Sequence, residues 1–235
     1  MAEALIYPLT LQDQPDALCV HFTAMKMTPA AIVAYSSSRP FNTSKSRVDN
    51  TSNMDVQGSI CIALPSSTLT ESFSSNWSVN NLTQAINDSS IGQGAQMLSG
   101  TMVPPVYKAT YSSTEPREYS FSFSFLPKNA KETDECVKII KTFKAWAAAG
   151  SLVSQSNESL MENVLPYVIS MRFTQGAQKL DELIRPNYCV ISSISVNYFD
   201  NGQITAYSDG MPKSTGLSLS LKEITVPLRG DFEVK

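Results

Sequence analysis

From Tyr119 to Phe125 aromatic and serine residues alternate without a break, Tyr-Ser-Phe-Ser-Phe-Ser-Phe. Side chains along a strand point alternately to opposite faces. Tyr119, Phe121, Phe123 and Phe125 therefore share one face, and Ser120, Ser122 and Ser124 the other. The period then changes. Cys136, Ile140, Phe143 and Ala147 recur at helical spacing, with Ile139 and Trp146 beside them, and make one apolar stripe. Asn129 is placed to cap this helix and Glu132 to complete a capping-box-like pair. Glu132, Asp134 and Glu135 fall early and Lys138, Lys141 and Lys144 late, as the helix dipole favours. Gly150 is the expected stop. A stripe of this kind packs on a sheet.

The remaining pattern is mostly β. Residues 18–25 and the short apolar run Ile60–Leu64, ended by Pro65, read as strands. So do Tyr167–Phe173 and Cys189–Phe199, the latter with Ile194, Val196 and Tyr198 opposite Ser193, Ser195 and Asn197. Asp200-Asn201-Gly202 signals a tight hairpin turn, Ile204–Tyr207 a returning strand and Asp209-Gly210 a second turn. Leu217, Leu219 and Leu221 then alternate with polar residues until the phase slips at Ile224 and Val226, which predicts a bulge or a strand buried on both faces. The C-terminal part is thus expected to be a three-stranded meander. Three polar stretches interrupt the pattern: 36–57, 66–110 and 150–163. Within the second, 66–103 is polar and helix-compatible, with scattered apolar points at Trp77, Leu82, Ile86, Ile91 and Met97. The expected organisation is one domain over 1–235 with loop insertions at these three places.

Composition narrows the function classes. The chain has 235 residues, 17% of them charged, and a net charge of -3. That length supports a sizeable core. The charge balance argues against a basic nucleic-acid binder. No run approaches the ~20 apolar residues of a membrane span, and the first residues lack the features of a signal peptide. Cys19, Cys61, Cys136 and Cys189 are widely spaced in apolar or periodic stretches and read as buried free thiols of a reducing compartment. With no CxxC pair and His21 as the only histidine, a zinc site is not expected. Six Asn-x-Ser/Thr sequons, at Asn42, Asn50, Asn76, Asn81, Asn87 and Asn157, follow from a chain rich in these residues. Gly92-Gln-Gly94 resembles the start of a phosphate loop but lacks the preceding apolar strand, and Met97 stands in place of the third glycine.

Catalytic machinery is not expected either. His21 lies mid-strand between Val20 and Phe22. Glu223 is the one carboxylate of interest, because a charge in an apolar strand needs a partner; an interface salt bridge is one option. The reading is a non-enzyme with no catalytic, metal or cofactor-binding residues and no cofactor.

Several stretches carry a family likeness. They are Pro116–Glu132 running into Ile139–Trp146, Leu165–Phe173, Cys189–Tyr198 and Asp209–Ile224, with Ile62-Ala-Leu-Pro65 followed by Trp77 matching more weakly. Together they resemble the tail-tube initiator, or baseplate–tail-tube junction, proteins of contractile-tailed phages, relatives of the tail tube protein. The resemblance spans about 117–226. It implies a mainly β fold with one flanking α-helix, a tail-tube-like two-sheet β-barrel or sandwich, assembled into a hexameric ring. It also implies a structural virion protein that nucleates the tail tube on the baseplate and continues the DNA channel, with DNA passing through but not specifically bound. The implied partners are other copies of itself, the baseplate hub protein, and the tail tube protein or a second junction ring, with a sheath protein as a further candidate and no membrane. The implied location is the virion's tail base, and the host cytoplasm during assembly. Two alternatives stand beside it: a tail tube subunit or hub protein of the same fold, and a carbohydrate-binding β-sandwich module.

Overall fold

A computed structural model describes residues 4–14, 16–27, 54–64, 69–81, 89, 106–153, 161–176, 178–180, 184–198, 206–207, 210–229 and 232. The strands are β1 (Ala4–Tyr7), β2 (Leu18–Met27), β3 (Met54–Ala63), β4 (Leu69–Ser72), β5 (Ser75–Asn81), β6 (Tyr107–Thr114) and β7 (Glu118–Phe125). After helix α1 (Ala130–Ala147) come β8 (Gly150–Val153), β9 (Met161–Val164), β10 (Val168–Gln175), β11 (Gln178–Lys179), β12 (Cys189–Asn197) and β13 (Thr215–Glu223). A 3-10 turn, Leu9–Asp13, follows β1. Among the described residues the fold is mainly β with a single α-helix. Contacts group the chain into two compact units, Met1–Ser72 with Pro116–Lys235, and Phe73–Glu115.

In the first unit the main sheet runs β1-β3-β2-β10-β12-β13-β7-β4, with β11 beside β10. The β1–β3 pair is parallel and the others antiparallel. β10 meets β12 through one register pair, Ile169 with Cys189, so the sheet has a narrow seam at its middle. Rings from the two halves touch. Phe22 of β2 stands edge-on to Phe121 of β7 at 5.4 Å, and Tyr7 of β1 edge-on to Phe125 at 4.8 Å. β2 and β7 lie four strands apart along the sheet, which in a flat sheet is roughly 19 Å at the usual strand spacing. The sheet is therefore folded over, with its aromatic faces inward around one core.

The expected barrel does not close: among the described residues the sheet ends at β1 and at β4. At β1 the physical reason is visible. The Ile6 N–H donates to the Glu135 carboxylate on α1 at 3.2 Å, and the Leu126 N–H donates to the Tyr7 hydroxyl at 2.8 Å. The helix carboxylate takes one edge donor that another strand would otherwise pair, and the Tyr7 hydroxyl ties β1 to the residue after β7. At β4 no such cover is present among the described residues, and three of its four residues are exposed.

The alternation of β7 is realised as expected. Tyr119, Phe121, Phe123 and Phe125 are buried, and Ser120, Ser122 and Ser124 are exposed. The helix stripe is buried through Cys136, Ile139, Ile140, Phe143 and Trp146, while Ala147 is half-buried. Phe22 is the link between helix and strand, since it also stands edge-on to Phe143 at 5.2 Å. Gly58 on β3 leaves room for the Trp146 indole, because a Cβ there would lie 3.2 Å from its ring. The Asn129 side chain accepts the Glu132 N–H at 2.9 Å, and the Glu132 carboxylate accepts the Lys128 N–H at 2.7 Å. Asn129→Ala is expected to cost about 1 kcal/mol, read as a lower urea midpoint with an unchanged slope.

Other expectations need correction. Gly150 does not stop the helix: the chain turns extended at Ala148, and Gly150 opens β8. The stretch 66–103, read as helix-compatible, instead contributes β4 and β5; both are largely exposed, so they lack the one-sided burial that makes a strand legible. Likewise β8 and β9 pair at the two ends of the expected loop 150–163, and β3 begins at Met54 inside the expected loop 36–57. Strand β1 lay outside the expected set. The phase slip at Ile224 reflects the end of β13 at Glu223, and the bulge lies on its neighbour, where Ser192 is the extra residue of β12. Of the expected returning strand, Ala206 makes only an isolated bridge to Pro212, so no third meander strand joins the sheet among the described residues. The Asn201-Gly202 turn, Gly92-Gln-Gly94 and most of loop 36–57 lie outside the described residues.

Candidate functional site

Register places the serines of β7 in rows with those of its neighbours. Thr70 of β4, Ser120 of β7, Ser220 of β13 and Ser193 of β12 form one row. Ser122, Ser218 and Ser195 form the next, and Ser124, Gly216 and Asn197 the third. All are exposed except Ser220 and Gly216, which are half-buried. The β12 bulge adds Ser192, whose hydroxyl donates to the Ser220 carbonyl at 3.0 Å. The result is an outward sheet face of small, neutral, hydrogen-bonding groups. One ion pair, Lys222 with Glu118 at 2.8 Å, marks its end. Serine is a modest strand former, so local propensity does not explain this choice. A low, uncharged and wettable face lets another surface approach closely, and it neither grips nor strongly repels a polyanion.

Beneath this face sits the one strongly buried ion pair among the described residues. The Glu223 carboxylate receives Arg117 Nε at 3.0 Å, Arg117 Nη2 at 2.7 Å, the Asn187 N–H at 2.8 Å and the Tyr119 hydroxyl at 3.4 Å. Arg117 also donates to the Arg185 carbonyl at 3.1 Å and to Glu71 of β4 at 3.4 Å. Burial and the nearby Glu223 charge push the Tyr119 hydroxyl well above its ordinary pKa. Burial alone would loosen the Arg117 proton; Glu223 overcomes this and holds the guanidinium charged. The partner that Glu223 required is thus in its own chain, and the interface salt bridge considered from sequence is replaced by an internal clamp on β4, β7 and β13. Arg117 was not singled out by sequence, because its pairing partner lies 106 residues away.

His21 is where a strand residue was expected. Its Nε2 lies 2.9 Å from the Thr174 hydroxyl and 3.8 Å from Cys61 Sγ. Burial, with Arg172 opposite, lowers its pKa, and burial pushes the Cys61 thiol up to about 12. Cys19, Cys136 and Cys189 are buried free thiols, and Cys61, expected to be buried, is half-exposed. Among the described residues no three His, Cys, Asp or Glu side chains are arranged to hold a metal ion. No helix there is long and apolar enough to cross a membrane.

No protein-family model matches the chain, and no curated protein matches it.

Proposed function

We propose that the chain is a structural subunit of a ring at the baseplate–tail-tube junction of a contractile phage tail, where it nucleates the tube and continues its channel. The observation that carries this reading is the serine face. Four adjacent strands, β4, β7, β13 and β12, present an outward surface of Ser, Thr, Asn and Gly with one ion pair at its end. Such a face suits the wall of a wet channel through which DNA slides, or the close seat of a neighbour. The β4 edge, which pairs with no further strand among the described residues, supports the same reading, since a free strand edge is a site for pairing with another chain and a closed cyclic array removes it. In this arrangement the barrel closes between subunits.

Negative-stain microscopy and mass measurement, on the chain alone and then with hub and tube proteins, test the proposal. Rings, together with faster tube polymerisation, are the expected result. A chain that forms no rings and leaves tube polymerisation unchanged overturns it. Copy number in the particle separates a junction ring from a repeating tube subunit. Ser122→Asp is expected to change unfolding free energy by less than about 0.5 kcal/mol while lowering the yield of rings or DNA-filled particles, because it places a charge on the face without touching the core.

A further inference from the structure

One contact of Arg117 belongs neither to the serine face nor to the strands. The Phe232 ring stands over its guanidinium, 5.4 Å from Cζ to the ring centroid, while the Tyr119 ring lies at 5.8 Å. Phe232 comes from the segment after β13, of which 224–229 and 232 are described. That segment is fastened to the body: the Ile224 N–H donates to the Tyr188 carbonyl at 3.0 Å, and Pro227 is buried. The Phe232 N–H donates to the Arg229 carbonyl at 3.1 Å. Phe232 itself is 50% exposed. It therefore covers a charged group at the surface and does not fill the core.

The two carboxylate arms of the clamp differ. Glu223 is buried, and its carboxylate receives two Arg117 donors, the Asn187 N–H and the Tyr119 hydroxyl. Glu71 receives Arg117 Nη1 at 3.4 Å, and its side chain is 36% exposed. An ion pair reached by water contributes little, and a ring over a cation attracts it more strongly as water is excluded. The Glu71 arm is thus the one whose strength depends on what covers Arg117. It is also the arm that holds β4, a strand of four residues, three of them exposed. Elements this short and exposed open at the low end of the local stability range, so a modest change in this arm is felt there first.

We propose that Phe232 is a C-terminal latch on the edge strand. Seated on Arg117, its ring keeps water from the Arg117–Glu71 tie and β4 fastened to β7; drawn off, it loosens β4 while the rest of the sheet holds. The asymmetry of the clamp makes the device selective. The Glu223 arm has donors besides Arg117 and keeps β7 and β13 together in either state. The Glu71 arm is a single hydrogen bond from the same guanidinium. The segment after β13 is in this way coupled to a strand far from it in sequence, through one shared cation. The latch rests on contacts within the chain and stands whether or not the tail-junction reading holds.

Amide hydrogen exchange of the full chain, read by mass spectrometry, tests it with the variants Phe232→Ala, Phe232→Leu and Phe232→Tyr. The expected result is that exchange over Leu69–Ser72 speeds up about fivefold or more in the Ala and Leu variants. The Tyr variant, which keeps a ring for the cation, is expected to retain the native rate, and β2 and β10 to exchange as before in all three. In a Glu71→Gln background, where β4 has lost its charge, Phe232→Ala is expected to add almost nothing, because both substitutions break one tie. Unchanged β4 exchange in Phe232→Ala overturns the proposal. So does faster exchange throughout the sheet, which would make Phe232 a general packing residue. Full protection by Leu, or an undiminished Phe232→Ala effect in the Glu71→Gln background, overturns it as well, since either would show that the ring does not act through Arg117 and Glu71.

Discussion

Arg117→Ala is expected to lower the unfolding free energy by about 3–5 kcal/mol, the largest effect of any single charged residue in the described chain. The size follows from what the substitution leaves behind. Glu223 is 2% exposed, and Arg117 supplies two of the hydrogen bonds its carboxylate receives. Without the guanidinium a carboxylate stays in a nearly dry site beside the Tyr119 hydroxyl, with only that hydroxyl and the Asn187 N–H to hold it. The loss of Glu71's partner also frees β4 from its ionic tie to the clamp. Urea titration followed by fluorescence and far-UV circular dichroism measures the change. The double replacement Arg117→Met/Glu223→Leu separates the two possible meanings. Removing both charges with bulk retained is expected to recover most of the loss, because a buried pair adds little over well-packed apolar groups even when breaking it is costly. If the single variant loses less than about 1 kcal/mol, the clamp is wetter or looser than its geometry states.

Phe123→Ala is expected to cost about 3–5 kcal/mol, against less than about 0.5 kcal/mol for the adjacent Ser122→Asp. Phe123 lies between Phe121 at 5.7 Å and Phe125 at 6.4 Å in a near-parallel stack, with Phe22 of the opposite half edge-on at 6.3 Å. Its ring is held on both sides along the strand and from across the fold. The neighbours have little freedom to fill the space, so a cavity term adds to the lost transfer energy. Because a domain is stable by only about 5–15 kcal/mol, the variant is also expected to bind hydrophobic dyes at temperatures where the native chain does not. A loss below about 1.5 kcal/mol would mean that the two halves of the sheet close over the gap, against the rigid aromatic packing described here. The contrast between two adjacent positions is the sharper measurement, since it tests which face of β7 is inside.

The resemblance read from the sequence implies a two-sheet barrel or sandwich; among the described residues the sheet instead folds over a shared core and does not close into a barrel. The difference lies in the edges. Nothing near Tyr7 in the sequence announces that its hydroxyl will accept the Leu126 N–H, or that Glu135 will reach Ile6, because the partners are more than 100 residues apart. The polar strands β5 and β6 escaped for a related reason. A strand is read from sequence through unequal burial of its two faces, and these two strands are exposed along nearly their whole length. Trp77 looked like one of several scattered apolar points until register placed it opposite Tyr111.

What the sequence determined by itself were features governed by neighbours along the chain. The Tyr119–Phe125 alternation set which face of β7 is buried, and the Asn129–Glu132 spacing set where α1 begins. The stripe from Cys136 to Trp146 set which side of the helix packs. These depend on side-chain geometry over a few residues, which local spacing encodes. The tertiary structure alone decided the folding-over of the sheet, the Arg117–Glu223 clamp, the assembly of small polar residues from four strands into one face and the aromatic side of the β5–β6 pair. Each of these rests on pairing between residues far apart in sequence, and pairing register is a property of the folded chain.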